Sequence, residues 1–168
     1  MQLYMTVATW FGCGNITKAP GTVASFATVL LFPAVILSNL FGILIITLIT
    51  ILGCLAIPKY LLDYPNKIDP KEIVIDEVIG QSIAFSLPIF FFRYYHYIPQ
   101  TFHVVYTLHY IKIFIISFIF FRIFDITKIW PINIIERISG TPGIILDDVL
   151  AGIMSSICTT FIIIKTGT

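Results

Sequence analysis

The stretch FRIFDITKIWPINIIERISGTPGIILDDVLAG, from Phe121 to Gly152, holds the densest group of polar side chains in an otherwise apolar sequence. Three charged residues recur at a spacing of three, and therefore share roughly one face of a predicted helix: Arg122, Asp125 and Lys128. The adjacent carboxylates Asp147 and Asp148 follow near a second apolar run. Neighbouring carboxylates repel each other unless a proton or a cation relieves them. The stretch therefore indicates a metal site beside a phosphate site.

Helix-breaking residues divide this stretch. Pro131 is expected to end or kink the first helix, and a turn is predicted at Gly140, Pro142 and Gly143. The carboxylate pair would then stand at the very start of the second helix. The positive end of the helix dipole favours anions at that position.

The composition indicates an integral membrane protein. Of the 168 residues, 58% are hydrophobic and 11% are charged, whereas roughly 25% are charged in ordinary soluble domains. The length suits a single domain, which we expect to cover residues 1–168. The net charge of +1 gives no sign of nucleic-acid binding, and no protein partner can be inferred.

Five apolar runs can serve as membrane helices, although several are shorter than the roughly 20 residues that one span needs. They lie at Val23–Leu37, Gly42–Ile57, Val78–Phe92, Val104–Phe121 and Val149–Ile164. We therefore predict an all-α, multihelical integral membrane protein with about five apolar helices.

Basic residues divide unevenly between the two faces of this five-span arrangement. Seven of the ten lie on the face that holds the chain start: Lys18, Lys59, Lys67, Lys71, Arg122, Lys128 and Arg137. Only Arg93, Lys112 and Lys165 fall on the other face. Because cytoplasmic loops carry the excess of lysine and arginine, the first face is predicted to be cytoplasmic.

The acidic motifs converge at the same cytoplasmic rim. IVIDEVIG supplies one acidic pair and IILDDVLAG a second, and the two segments look alike. Hard divalent cations prefer carboxylate oxygens. We therefore predict a shared Mg²⁺ or Mn²⁺ site with the ligands Asp76, Glu77, Asp125, Asp147 and Asp148. The simpler alternative for Asp125 is a set of solvated ion pairs with its basic neighbours, which are worth only about 0–1 kcal/mol each.

A phosphate site is predicted beside the metal. In the segment PGTVAS, Thr22 is a candidate helix N-cap and Ser25 follows three residues later. Free backbone amides at a helix start bind anions, and Arg and Lys bind phosphate oxygens. The candidate phosphate-binding residues are Gly21, Thr22, Ser25, Arg122 and Lys128.

Together these motifs resemble the phosphatidylglycerophosphatase A family of bacterial membrane lipid phosphatases. The matching segments are ATWFGCG with KAPGTVAS, IVIDEVIGQ, FRIFDITKIWPI and GTPGIILDDVLAG, in the family's order over most of Ala8 to Gly152. Ile129 stands where the family usually has proline, Thr141-Pro142 interrupt a usual pair of glycines, and Ile145 replaces a methionine. These departures affect the backbone around the site and leave its carboxylates in place.

The resemblance implies an all-helical, Mg²⁺-requiring enzyme in the bacterial inner membrane. It would remove the terminal phosphate of phosphatidylglycerophosphate on the cytoplasmic face, yielding phosphatidylglycerol, while the lipid tails stay in the bilayer. One carboxylate would act as general base or nucleophile. The candidate catalytic residues are Asp76, Glu77, Asp125, Lys128, Asp147 and Asp148.

Two other classes of membrane protein use similar residues. A carboxylate-lined ion transporter would place acids near the middle of its spans, whereas these acids lie at predicted span ends. A membrane phosphatidyltransferase would need a nucleotide-binding motif with several aspartates on adjoining turns, and the sequence contains none.

The charge distribution makes the topology testable. In a variant without the native cysteines, a cysteine introduced at Asn66 should react with an impermeant thiol reagent from the cytoplasmic side only. A cysteine at Gln100 should react only from the opposite side, because the predicted third span separates the two positions. Labelling of both positions from one side would contradict the five-span arrangement.

Overall fold

The computed structural model describes residues 2–16, 18–67, 70–95 and 107–166, so Gln100 lies outside the described residues. Within these ranges the regular structure is entirely helical, as predicted. The α-helices are α1 (Leu3–Ala8), α2 (Pro20–Ala27), α3 (Phe32–Leu37), α4 (Asn39–Asp63), α5 (Ile75–Tyr94), α6 (Thr107–Thr127), α7 (Ile132–Ile135) and α8 (Thr141–Thr166). Short 3₁₀ helices occupy Cys13–Asn15 and Thr28–Leu31.

Four helical segments of the described chain are long and apolar enough to cross a membrane: Pro20–Leu37, Asn39–Asp63, Ile75–Tyr94 and Thr141–Thr166. They overlap four of the five predicted spans, and the chain is accordingly a membrane protein. The remaining predicted span, Val104–Phe121, overlaps α6, and its residues 104–106 lie outside the described ranges. A total of five crossings stays a prediction.

Polar contacts at the helix ends show that the long helices alternate in direction. Arg93, near the end of α5, is fully buried and donates to the carbonyl of Val35 in α3 at 2.7 Å. Lys112, in the first two turns of α6, donates to Thr166 at the end of α8 at 2.9 Å. The other ends of these helices therefore lie together on the far side of the bundle. Those ends carry the predicted site residues.

Helix α5 lies at the centre of the bundle and crosses α8 at a pair of glycines. A Cβ atom on Gly152 would lie 2.3 Å from the carbonyl oxygen of Gly80, and one on Gly80 would lie 2.5 Å from that of Asp148. Real Cβ contacts are not that short, so only glycine permits this approach. Small residues have the same role in many membrane helix pairs. The crossing brings the acidic ends of α5 and α8 together.

Helix α8 begins earlier than predicted. Gly140, with φ 81°, precedes the helix, but Pro142 and Gly143 belong to its first turn. The predicted turn at these two residues is therefore wrong. Proline is tolerated in a first helical turn because its missing N–H is not needed there. Asp147 and Asp148 consequently lie almost two turns inside α8, where α5 buries them.

Two other predicted helix boundaries also differ. Helix α2 begins at Pro20, and Ala19 occupies the N-cap position, so Thr22 lies inside the helix and does not cap it. Helix α6 ends at Thr127, ahead of the expected breaker Pro131. The residue that follows, Lys128, adopts a left-handed backbone conformation that ends the helix.

The glycine crossing predicts unequal effects of two similar substitutions. Gly80→Ala should destabilise the protein by about 1–3 kcal/mol, the usual cost of overpacking, because backbone atoms meet the new methyl group. The matched control is Gly53→Ala in α4, whose Cβ would lie 3.2 Å from the flexible end of Ile79. Thermal unfolding in one detergent should give a lower Tm for Gly80→Ala only. Equal Tm values would contradict the close crossing.

Candidate active site

A cavity of about 660 Å³ opens where the starts of α2, α5 and α8 meet the end of α6. Nine of the ten predicted site residues line it: Gly21, Thr22, Asp76, Glu77, Arg122, Asp125, Lys128, Asp147 and Asp148. The tenth, Ser25, is fully buried behind the cavity wall. Four separate helices thus bring together the residues that the sequence pattern grouped.

Three of the carboxylates form a close cluster. Asp76, Glu77 and Asp148 each offer an oxygen atom within 4.8 Å of the others. Asp76 is 8% exposed and Asp148 is 3% exposed, and each of the three residues has a buried oxygen without a hydrogen-bond donor. Several converging carboxylate oxygens without donors are the ligands that a hard divalent cation prefers. These three residues, the carboxylate triad, therefore fit Mg²⁺.

The other two carboxylates are paired with basic side chains. Asp125 lies 2.6 Å from Arg122 and 2.9 Å from Lys128. Asp147 lies 2.6 Å from Lys128, whereas Asp148 lies 3.9 Å from it, beyond hydrogen-bonding distance. The side chains of this network are only 11–23% exposed, so they are not the solvated ion pairs of the simpler alternative. The structure divides the five predicted metal ligands into a triad of three and an ion-paired set of two.

Lys128 holds its place through an uncommon backbone conformation. Its φ is 44°, and its N–H donates to the carbonyl of Phe124 at 2.9 Å, which closes the end of α6. Glycine or asparagine usually occupies such a position. Strained backbone of this kind concentrates at functional sites. At this position the lysine side chain reaches Asp125 and Asp147.

The electrostatic surroundings keep Lys128 charged. Burial lowers the pKa of Lys128, but the carboxylates of Asp148, Asp125 and Asp147 outweigh that effect, so its pKa lies above the ordinary value. An ammonium group among three carboxylates is favoured in its charged form. Lys128 is therefore a permanent cation beside the carboxylate triad at neutral pH.

Arg122 is fixed from two sides. One of its terminal nitrogens donates to the Ser25 hydroxyl at 3.3 Å and pairs with Asp125. Ser25 in turn donates to the carbonyl of Gly21 at 2.7 Å. The buried Nε of Arg122 has no hydrogen-bond partner. Ser25 thus orients the guanidinium from behind, and an unused N–H donor remains.

Gly21 allows helix α2 to approach the acidic end of α5. A Cβ atom at this position would lie 2.1 Å from a carboxylate oxygen of Glu77 and 3.3 Å from Arg122. Any larger residue would push Glu77 or α2 out of place. The glycine in the PGTVAS segment therefore leaves room for the side chains of Glu77 and Arg122 at the site.

The ATWFGCG segment supports the start of α5 from outside the cavity. The N–H of Val74 donates to the carbonyl of Ala8 at 2.9 Å. A Cβ atom on Gly14 would lie 2.1 Å from the carbonyl oxygen of Glu72. These contacts hold the backbone immediately ahead of Asp76. The role of the segment is therefore to position the start of α5.

Sequence reasoning missed several polar residues near the site, Ser139 among them. Lys71 and Glu136 line the cavity, and no spacing or motif in the sequence distinguishes them. Gln81 is fully buried, and neither atom of its amide has a hydrogen-bond partner. Its place four residues after Glu77, on the same face of α5, was a usable signal.

Comparison with known proteins identifies the family of this chain. The sequence model of the family described as phosphatidylglycerophosphatase A matches residues 6–163. The chain belongs to the phosphatidylglycerophosphatase A family. It is therefore a lipid phosphatase, a phosphoric monoester hydrolase of phospholipid metabolism. No solved structure matches the chain significantly.

Three relatives cover most of the chain. Phosphatidylglycerophosphatase A of Haemophilus influenzae is 32% identical over 90% of this chain and 83% of its own length. The Escherichia coli protein of the same name is 30% identical over 89% of this chain and 77% of its own length. A Bacteroides thetaiotaomicron protein, provisionally named phosphatidylinositol-3-phosphatase, is 30% identical over 92% of this chain and 90% of its own length.

Because Lys128 has a left-handed backbone conformation, two substitutions at this position can distinguish an effect on stability from an effect on activity. Lys128→Gly and Lys128→Ala both remove the ammonium group, so phosphatase activity should fall equally and by at least about tenfold. Glycine suits the positive φ and alanine does not, so Lys128→Gly should be more stable by about 1 kcal/mol. Tm values and phosphate release from purified protein test this. Retained activity in Lys128→Gly would show that the ammonium group of Lys128 is not needed for phosphate release.

Proposed function

We propose that this protein is a Mg²⁺-dependent phosphatidylglycerophosphatase that acts at the cytoplasmic face of the bacterial inner membrane. It hydrolyses phosphatidylglycerophosphate to phosphatidylglycerol and inorganic phosphate. The observation that carries the proposal is the carboxylate triad beside two basic side chains in a single cavity. Family membership favours this reaction over ion transport and over phosphatidyl transfer.

Asp76, Glu77 and Asp148 are the proposed ligands of the cation. Their oxygens lie within 4.8 Å of one another, and each residue has a buried oxygen with no donor. When bound, a divalent cation neutralises phosphate charge and lowers the pKa of a coordinated water molecule. Asp125 and Asp147, which the sequence also suggested as ligands, have other roles in this proposal.

Arg122 and Lys128 are proposed to hold the phosphate of the substrate. Ser25 and Asp125 fix the guanidinium of Arg122, whose Nε remains available. Asp125 also binds Lys128, so one carboxylate orients both cations. Thr22 and the backbone at Gly21 complete the wall on the α2 side.

Asp147 is the proposed general base. Its carboxylate is paired with one cation, Lys128, whereas the Asp125 carboxylate is held by two, Arg122 and Lys128. Asp147 would accept a proton from the attacking water as the water oxygen bonds to phosphorus. The bond from phosphorus to the glycerol oxygen breaks, and the proton passes to that oxygen. The products are the lipid alcohol and inorganic phosphate.

The Bacteroides relative supports a second candidate substrate. Its provisional name describes removal of a phosphate from an inositol lipid, which is also a phosphate monoester on a lipid headgroup. The two Haemophilus and Escherichia relatives carry the phosphatidylglycerophosphatase name. We favour phosphatidylglycerophosphate, and a direct comparison of the two lipids decides between them.

Phosphate release by purified protein tests the proposed activity. Wild type should release phosphate from phosphatidylglycerophosphate with Mg²⁺ and lose this activity with excess chelator. The rate should exceed that on phosphatidylinositol 3-phosphate at equal concentrations. Full activity in chelator would contradict the cation requirement, and a faster reaction with the inositol lipid would overturn the assigned substrate.

A double-mutant cycle tests whether the ion-paired carboxylates act together. Asp147→Asn should lower kcat by roughly 10²–10³-fold, a size typical for loss of one charged catalytic group. Asp125→Asn should lower it too, because both cations lose an orienting partner. The double variant should be little worse than Asp147→Asn, since residues that act as a unit are not additive. Small and additive losses would indicate two independent surface acids.

A further inference from the structure

The exposed residues that line the cavity are of two chemical kinds. One part of the opening is polar and includes Lys71, Glu136 and Ser139. Another part is apolar and includes Ile126 and Ile138, which are 68% and 46% exposed. A site for a small soluble phosphate has no need of an apolar opening. A site for the headgroup of a membrane lipid needs both kinds.

The apolar part continues along the outer face of α6. Four isoleucines are 47–68% exposed and recur at helical spacing, so they form one face: Ile115, Ile119, Ile123 and Ile126. We call this row the α6 isoleucine stripe. The polar face of the same helix carries Arg122 and Asp125 toward the cavity. Ile126 belongs both to the stripe and to the cavity wall.

The segment after α6 frames the other side of the apolar opening. Trp130 is 73% exposed and Ile134 is 55% exposed. Exposed tryptophan is typical of the membrane–water interface. Ile138, at the end of this segment, lines the cavity. Ile126 and Ile138 thus line an opening beside an exposed tryptophan, an arrangement that suits the level where a lipid headgroup meets its acyl chains.

We propose that the substrate reaches the cavity sideways from the bilayer, between Ile126 and Ile138, and that an acyl chain lies along the α6 isoleucine stripe. This inference rests on the proposed lipid-phosphatase function and deepens it. The phosphate enters the polar interior while the chains never leave the apolar phase. The stripe makes the enzyme selective for phosphate monoesters that carry long acyl chains.

The ratio of kcat/KM for a dioleoyl substrate to that for a dibutanoyl analogue with the same headgroup tests the route. Both are assayed in the same detergent micelles. Ile126→Gln and Ile138→Gln should each lower the ratio about tenfold, the size expected when one buried aliphatic side chain is replaced by a polar one. Ile126→Leu, which keeps the apolar surface, should retain the wild-type ratio.

Leu62→Gln is the matched control, because Leu62 is 78% exposed and lies near the cytoplasmic end of α4, away from the cavity. Its ratio should equal that of wild type. An unchanged ratio in both isoleucine variants would show that the stripe contacts bulk lipid only, and would overturn the route. Absence of phosphate release from either substrate by wild type would instead overturn the proposed function.

Discussion

Burial of three carboxylates beside one another is the constraint on which the rest of this structure depends. Asp76 and Asp148 are almost inaccessible to solvent, and each has an oxygen without a donor. Removing a charged group from water costs several kcal/mol unless a partner compensates. Such an arrangement persists only where a bound cation or a proton balances it. The free energy of folding therefore depends on how the charges of the site are balanced.

The helix packing explains why these carboxylates cannot move apart. Gly80 and Gly152 let the backbones of α5 and α8 touch, which fixes the separation of their acidic ends. Gly21 lets α2 lie against the carboxylate side chain of Glu77. The two basic side chains then come from the end of α6, where Lys128 accepts a left-handed backbone to reach its partners. The left-handed backbone at Lys128 lowers the stability of the fold, and it places the ammonium group beside the carboxylates.

Much of this organisation could be predicted from the sequence, because it depends on local patterns. Apolar runs predicted the long helices, and the acidic and basic residues of the motifs predicted seven of the site residues that line the cavity. The PGTVAS segment predicted two more, Gly21 and Thr22. The predicted helix boundaries were wrong where a residue type suits both a turn and the first turn of a helix. Pro142 and Gly143 are typical of turns, yet both fit the first turn of α8. The contact between Asp147 and Lys128 depends on a backbone angle that no spacing reveals.

The most direct test of the central claim is cation binding to the carboxylate triad, measured by titrating detergent-purified protein with Mn²⁺ and recording the free Mn²⁺ signal by electron paramagnetic resonance. Wild type should bind Mn²⁺ saturably, and Mg²⁺ should compete. Asp148→Asn should weaken binding by at least about tenfold, since a hard cation loses a charged ligand. Asp63→Asn, at the end of α4, should bind as wild type does. Equal affinity of wild type and Asp148→Asn would contradict the account.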